Sequence, residues 1–230
     1  MTFEQLQSVF TGRNFVRGIK KAFDVYSRVG FESQFTFWKG ARNNKIKYFP
    51  CVSTSYDLPD STTLEISDNQ SDLITEQKLI PLLSYHYHPQ GSSVMPSEAD
   101  VQAHADFIRQ YSNISDRNRI TFIVNHSLDC IGACREQGQF QDVLVCQNKS
   151  FETCPFSEGE NVQSQIREKQ GGRLEDNTLV AEALDSLNNW NATLLTYERQ
   201  GNIYTLPKEQ LSRLGKFAYT PTTESVITDL

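Results

Sequence analysis

No apolar run in the 230 residues approaches the roughly 18 needed to cross a bilayer, so a membrane-spanning helix is not expected. The opening stretch, MTFEQLQSVFTGRNF, lacks the continuous apolar segment of a secretory signal. Cysteine is sparse and odd in number: the five residues Cys51, Cys130, Cys134, Cys146 and Cys154 are a poor basis for a disulfide framework. A reduced, cytoplasmic setting is the expectation. Positive charge is also short, and a net charge of −6 counts against nucleic acid as the default partner. There is no glycine-rich phosphate loop, because Gly171-Gly172 follows no apolar strand. No Cys–His arrangement points to a thiol protease, and no internal repeat is visible.

What is present fits one large domain, or a domain with a substantial extension. The composition, 38% hydrophobic and 22% charged, is ordinary for a soluble protein and supplies enough aromatics for a core. Charge is unevenly spread. Residues 1–50 carry nine Lys/Arg against three Asp/Glu, or +6, and the other 180 carry thirteen against twenty-five, or −12. That basic first segment reads either as a solvated helix face (Arg13, Arg17, Lys20, Lys21, Arg28) or as a surface that steers an acidic protein.

Phe15, Ile19, Phe23 and Tyr26 recur at the spacing of one apolar stripe, which predicts a helix over 14–28 ended by Gly30. Residues 31–38, rich in aromatics, and 46–53 predict a hairpin; 54–63 reads as turns, 64–66 as a short strand, and 72–77 as the start of a helix or turn. Residues 79–88 begin apolar and then alternate, as expected of a strand that leaves the core for a site. Helix is predicted over 97–111, a buried strand over 119–124, and a hairpin over 128–146 about Gln137-Gly138-Gln139. Residues 147–177 turn polar and read as a long loop or insert. A helix over 178–188, a hairpin formed by 192–197 and 202–206, and a last helix over 208–214 complete an α/β (α+β) chain. The expected organisation is a main domain over 1–150, a polar loop over 151–177, and a helix-hairpin extension over 178–230 packed on the same domain.

The run His86-Tyr87-His88-Pro89, followed by Ser97-Glu98-Ala99-Asp100, carries the chemistry. Histidines at i and i+2 share one side of a strand, since strand side chains alternate. A short loop with Gly91 and Pro96 then delivers Ser97 and Asp100 at a helix start. Two neutral imidazoles and one carboxylate leave a tetrahedral zinc with an open position, the ligand count of a catalytic rather than a structural site. Such an ion acidifies its water from 15.7 to near ~7, which points to a hydrolase. Ser97-x-x-Asp100 also reads as a capping-box variant, a reading compatible with ligation because the cap would aim Asp100.

With that spacing the chain resembles the JAMM, or MPN-plus, zinc metalloproteases, whose pattern is an upstream glutamate, His-Ser/Thr-His, about seven residues, then Ser-x-x-Asp. Pro96-Ser97-Glu98-Ala99-Asp100 is close to the form common in prokaryotic members, and Glu32, between Gly30 and Gly40, occupies the place of the upstream glutamate. The resemblance covers roughly residues 10–146. It implies a curved mixed sheet flanked by helices, of cytidine-deaminase-like type. It also implies one catalytic Zn2+ on His86, His88 and Asp100, Glu32 as acid/base, and Ser97 as oxyanion donor. Glu65 and Glu76 compete with Glu32 for the base. The chain departs from the pattern in Tyr87, where a small residue is usual, and in a loop to Ser97 one residue longer. Tyr87 is expected to point away from the metal.

The resemblance further implies cleavage after the extended C-terminal tail of a ubiquitin-like or sulfur-carrier protein, with the proteins of conjugation systems as further partners and neither nucleic acid nor membrane. Loops near 55–75 and 147–177 would receive the partner's body. Other readings are a non-catalytic MPN scaffold that retains a metal, a phage-tail-type JAMM hydrolase, and a two-His-one-carboxylate iron oxygenase; the last is disfavoured by the close His-x-His. His104 lies one helical turn after Asp100 and reads as a residue behind the metal ligands or a plain helix histidine. His126 is left unassigned. Cys130-x3-Cys134 with Cys146 and Cys154 misses the tight spacing of a structural zinc site.

Overall fold

A computed structural model describes residues 2–29, 33–40, 45–51, 68–77, 79–88, 93–97, 99–100, 130–148, 164–169, 171, 176–188 and 190–218. Expectations for Glu32, Glu65, His104, His126 and Cys154 lie outside the described residues. So do those for the strands at 64–66 and 119–124, for the turns at 54–63, and for the helix beyond Asp100.

The described chain begins with two helices, α1 (Phe3–Phe10) and α2 (Arg13–Val29). Thr2 caps α1 and forms a capping box with Gln5, satisfying backbone N–H groups that the first turn would otherwise leave open. The hairpin β1 (Ser33–Gly40) and β2 (Ile46–Cys51) follows, then α3 (Asp68–Glu76) and β3 (Leu79–Tyr87). After these come β4 (Cys130–Gln137), β5 (Phe140–Asn148), α4 (Asn177–Asp185), β6 (Trp190–Gln200) and β7 (Ile203–Thr205). A short α5 (Lys208–Leu211) and a 3-10 helix (Ser212–Phe217) close it, where a single helix over 208–214 is expected.

The described strands form one seven-stranded mixed sheet in the order β2-β1-β3-β4-β5-β6-β7. Every adjacent pair is antiparallel except β3 with β4. A parallel pair needs a long crossover connection, and the chain between Tyr87 and Cys130 supplies it. The tight β4–β5 and β6–β7 turns carry Gly138 and Gly201 at φ of 62° and 61°, a region glycine enters without steric cost.

Alternation along the strands divides the core in two. Phe35 and Phe37, Leu83, Tyr85 and Tyr87, Val143 and Val145, and Leu195 and Tyr197 face α1 and α2, where Phe10, Phe15 and Ile19 meet them. Their alternates Leu144, Cys146, Ala192 and Leu194 face the other side, with Val180 and Leu184 of α4 and with Val94 and Met95. The predicted stripe of α2 is therefore the buried one at Phe15 and Ile19. Close approach of α2 to the sheet depends on Gly18, where an added Cβ would lie 2.5 Å from the Phe37 ring.

The polar stretch at 147–177 is not wholly loop. A helical turn at 164–169 places Ile166 fully buried in the second core. One apolar side chain in a polar run gives no periodicity, so the sequence pattern does not reveal it.

Candidate metal centre

The second face of the sheet carries the site. His86 lies near the C-terminal end of β3, in register with Gln34 of β1 and Ala133 of β4. Gln34 donates from Nε2 to the Ser84 hydroxyl at 3.0 Å, which places β1 and β3 polar groups side by side. His88 follows immediately after β3. Tyr87, between them, turns the other way: its ring lies 5.8 Å from that of Phe23, and its hydroxyl accepts from the Glu136 backbone N–H at 3.1 Å. The bulky residue thus belongs to the α2 core and leaves both imidazoles on the site side, as strand alternation requires.

His86, His88 and Asp100 offer donor atoms that all lie within 4.8 Å of one another, so the group could hold a metal ion. His86 Nε2 is 3.4 Å from Asp100 Oδ1, and His88 Nε2 is 3.7 Å from Asp100 Oδ2. The two Nε2 atoms are 2.5 Å apart. Bonds of about 2.0–2.1 Å to a tetrahedral zinc set donors about 3.3 Å apart. The His–Asp spacings fit that geometry, and seating an ion requires the two rings to part by somewhat under an ångström. Side-chain exposure is 3% for His86 and 19% for Asp100, so solvent reaches the group from the Asp100 side.

Hydrogen bonds prepare two of the three donors. His88 Nδ1 lies 2.6 Å from the Ser93 carbonyl oxygen. A carbonyl only accepts, so Nδ1 carries the hydrogen and the Nε2 lone pair faces the cluster, the arrangement usual for metal-binding histidine. Ser97 and Asp100 exchange bonds: Asp100 Oδ2 accepts from the Ser97 N–H at 2.6 Å, and Ser97 Oγ accepts from the Asp100 N–H at 3.1 Å. Burial opposes ionisation of Asp100, but when the rings carry an extra proton the charge and hydrogen bond of His86, with the hydrogen bond and charge of His88, outweigh it; a metal ion would take the place of those Nε2 protons. Its carboxyl is held well below the usual carboxylate range and is ready as an anionic donor.

No family model and no curated protein matches the chain. The site therefore stands on its own geometry. His86, His88, Asp100 and Ser97 are brought together as expected from their spacing, whereas Glu32 lies outside the described residues, one residue before β1. Glu76 is exposed on α3. Of the four cysteines weighed for a second zinc site, Cys146 is buried in the second core and Cys154 lies outside the described residues.

Sequence reasoning missed Ser93, Asn177 and Asp142. Ser93 acts through its backbone carbonyl, which no side-chain pattern announces. Asn177, the first residue of α4, accepts from the Val94 N–H and donates to Asp142 Oδ2 at 3.1 Å. An amide following the capping Asp176 reads from sequence as part of a helix start, and its long-range partners have no local signal.

Proposed function

We propose that this chain is a zinc-dependent peptidase of the JAMM type that cleaves after the extended C-terminal tail of a ubiquitin-like protein. The fold assigned to it is the curved mixed sheet of that family. The observation that carries the reading is the convergence of His86, His88 and Asp100, with Ser97 hydrogen-bonded to the carboxylate ligand. The crossover from β3 leaves the sheet at this point, and the outside of carboxyl strand ends is where open mixed sheets commonly bind ligands.

Zinc, when bound, would supply Lewis acidity and so make water a nucleophile at neutral pH. His86 and His88 bind it as neutral donors, and Asp100 offsets part of its charge. The Ser97 hydroxyl already accepts from the Asp100 N–H, which leaves its own O–H to donate to an oxyanion on the scissile carbonyl. Glu32 takes the proton from the attacking water and returns it to the leaving amine. Its assignment rests on its place in the sequence and on the family pattern.

The deciding experiment combines metal analysis of purified protein with cleavage of a ubiquitin-like fusion by wild type and Glu32→Gln. About one zinc per chain in both, with cleavage only by wild type, supports the proposal. Iron in place of zinc, or unimpaired cleavage by Glu32→Gln, overturns it.

A further inference from the structure

The loop that holds His88 is itself held from far along the chain. Asn177 Nδ2 faces Asp142 Oδ2 at 3.1 Å, and the Thr196 hydroxyl donates to Asp142 Oδ1 at 2.9 Å. A carboxylate only accepts, so the Asn177 amide is oriented with its NH2 toward Asp142 and its oxygen toward the Val94 N–H, 3.5 Å away. Asp142 and Thr196 are register partners on β5 and β6. The bonds thus run from the sheet through the first residue of α4 to Val94, whose neighbour Ser93 fixes the His88 ring at 2.6 Å. Apolar packing follows the same route: Val94 is fully buried and Met95 nearly so, against Ile166, Val180, Leu184 and Trp190.

We propose that Asn177 is a positioning residue for the metal centre, fixing the 93–97 loop so that the Ser93 carbonyl holds His88 with its Nε2 directed into the cluster. This gives the C-terminal region a role: it is the bed on which the ligand-bearing loop lies. The inference rests on the metal-centre reading for its functional meaning, while the orientation of His88 can be measured without any metal. Groups that orient a histidine ligand typically contribute ten- to a hundred-fold in metal affinity.

The test measures zinc affinity by chelator competition and the His88 tautomer by side-chain 15N NMR, in wild type, Asn177→Ala and Asp185→Ala. Asp185 lies at the other end of α4 and accepts from the Ala192 N–H, so its loss loosens the same helix without touching the loop. Asn177→Ala should weaken zinc binding roughly ten- to a hundred-fold and mix the His88 tautomers, with Asp185→Ala like wild type in both. Unchanged affinity and tautomer in folded Asn177→Ala overturns the proposal, as does an equal loss in Asp185→Ala. Should Asn177→Ala fail to fold, amide exchange in wild type decides: protection of Val94 as slow as that of β5 supports the anchor, and loop-like exchange overturns it. A wild type that binds no zinc but keeps the single His88 tautomer removes the proposed function and leaves the positioning role intact.

Discussion

Asp100 and Ser97 are joined by a reciprocal pair of backbone-to-side-chain hydrogen bonds, at 2.6 Å and 3.1 Å. One of them survives truncation of the serine, because its donor is the Ser97 backbone N–H. Ser97→Ala should therefore keep zinc while costing about 1 kcal/mol of stability through the lost cap. Turnover should fall roughly 10²-fold or more if the hydroxyl steadies an oxyanion. Ser97→Thr restores the cap, and steady-state kinetics of the two variants beside metal analysis check the separation. Full turnover in the alanine variant removes the donor role.

Loss of a ligand should abolish the response to metal rather than the fold. Saturating zinc at about 100 times its dissociation constant stabilises a binding-competent protein by about 2.7 kcal/mol. For a chain of this length that is a rise of several degrees in Tm. Thermal unfolding with zinc and with chelator should show that difference in wild type and none in Asp100→Ala or His86→Ala.

Gly18 offers a test of packing away from the site. Alanine at a helix interior gains about 1 kcal/mol in propensity over glycine. Here its methyl meets the buried Phe37 ring at 2.5 Å, and overpacking costs typically 1–3 kcal/mol. Gly18→Ala should lower stability on balance, as read from the midpoint of urea unfolding. An increase would mean that the ring moves aside freely.

Asp176 accepts from the N–H groups of Thr178 and Leu179 at 2.9 Å and 3.3 Å, which satisfies the open first turn of α4. Asp176→Ala should cost about 1 kcal/mol in the same measurement, and Asp176→Asn much less, because asparagine caps equally well.

Legibility in the sequence followed the range of the interactions. The β1–β2 and β4–β5 hairpins, β3 and α2 announce themselves through local apolar periods, and the structure has them within a few residues of the expected bounds. His86, His88 and Asp100 were legible because a strand period and a helix start fix their directions. α1 is not among the expected helices, although Thr2-Phe3-Glu4-Gln5 has the spacing of its capping box. The full length of β6 was hidden because its last residues are polar; Arg199 there pairs with the buried Glu136 of β4, a contact across the sheet. Ile166 and Asn177 owe their places to partners far along the chain, and no local pattern encodes those.

The single parallel junction between β3 and β4 has a consequence for how the molecule assembles. The hairpins β1–β2, β4–β5 and β6–β7 pair nearby chain, and such local pairings form faster than distant ones, whereas β3–β4 joins residues 47 apart, a span like those of β1–β3 and β5–β6. The seam whose end bears His86 is thus one of the distant junctions, which form after the hairpins. Pulse-labelled hydrogen exchange should protect the β4–β5 hairpin before the β3–β4 ladder. The imidazole pair would then meet its second supporting strand only after the hairpins have formed, so an intermediate stalled before that step would hold metal poorly.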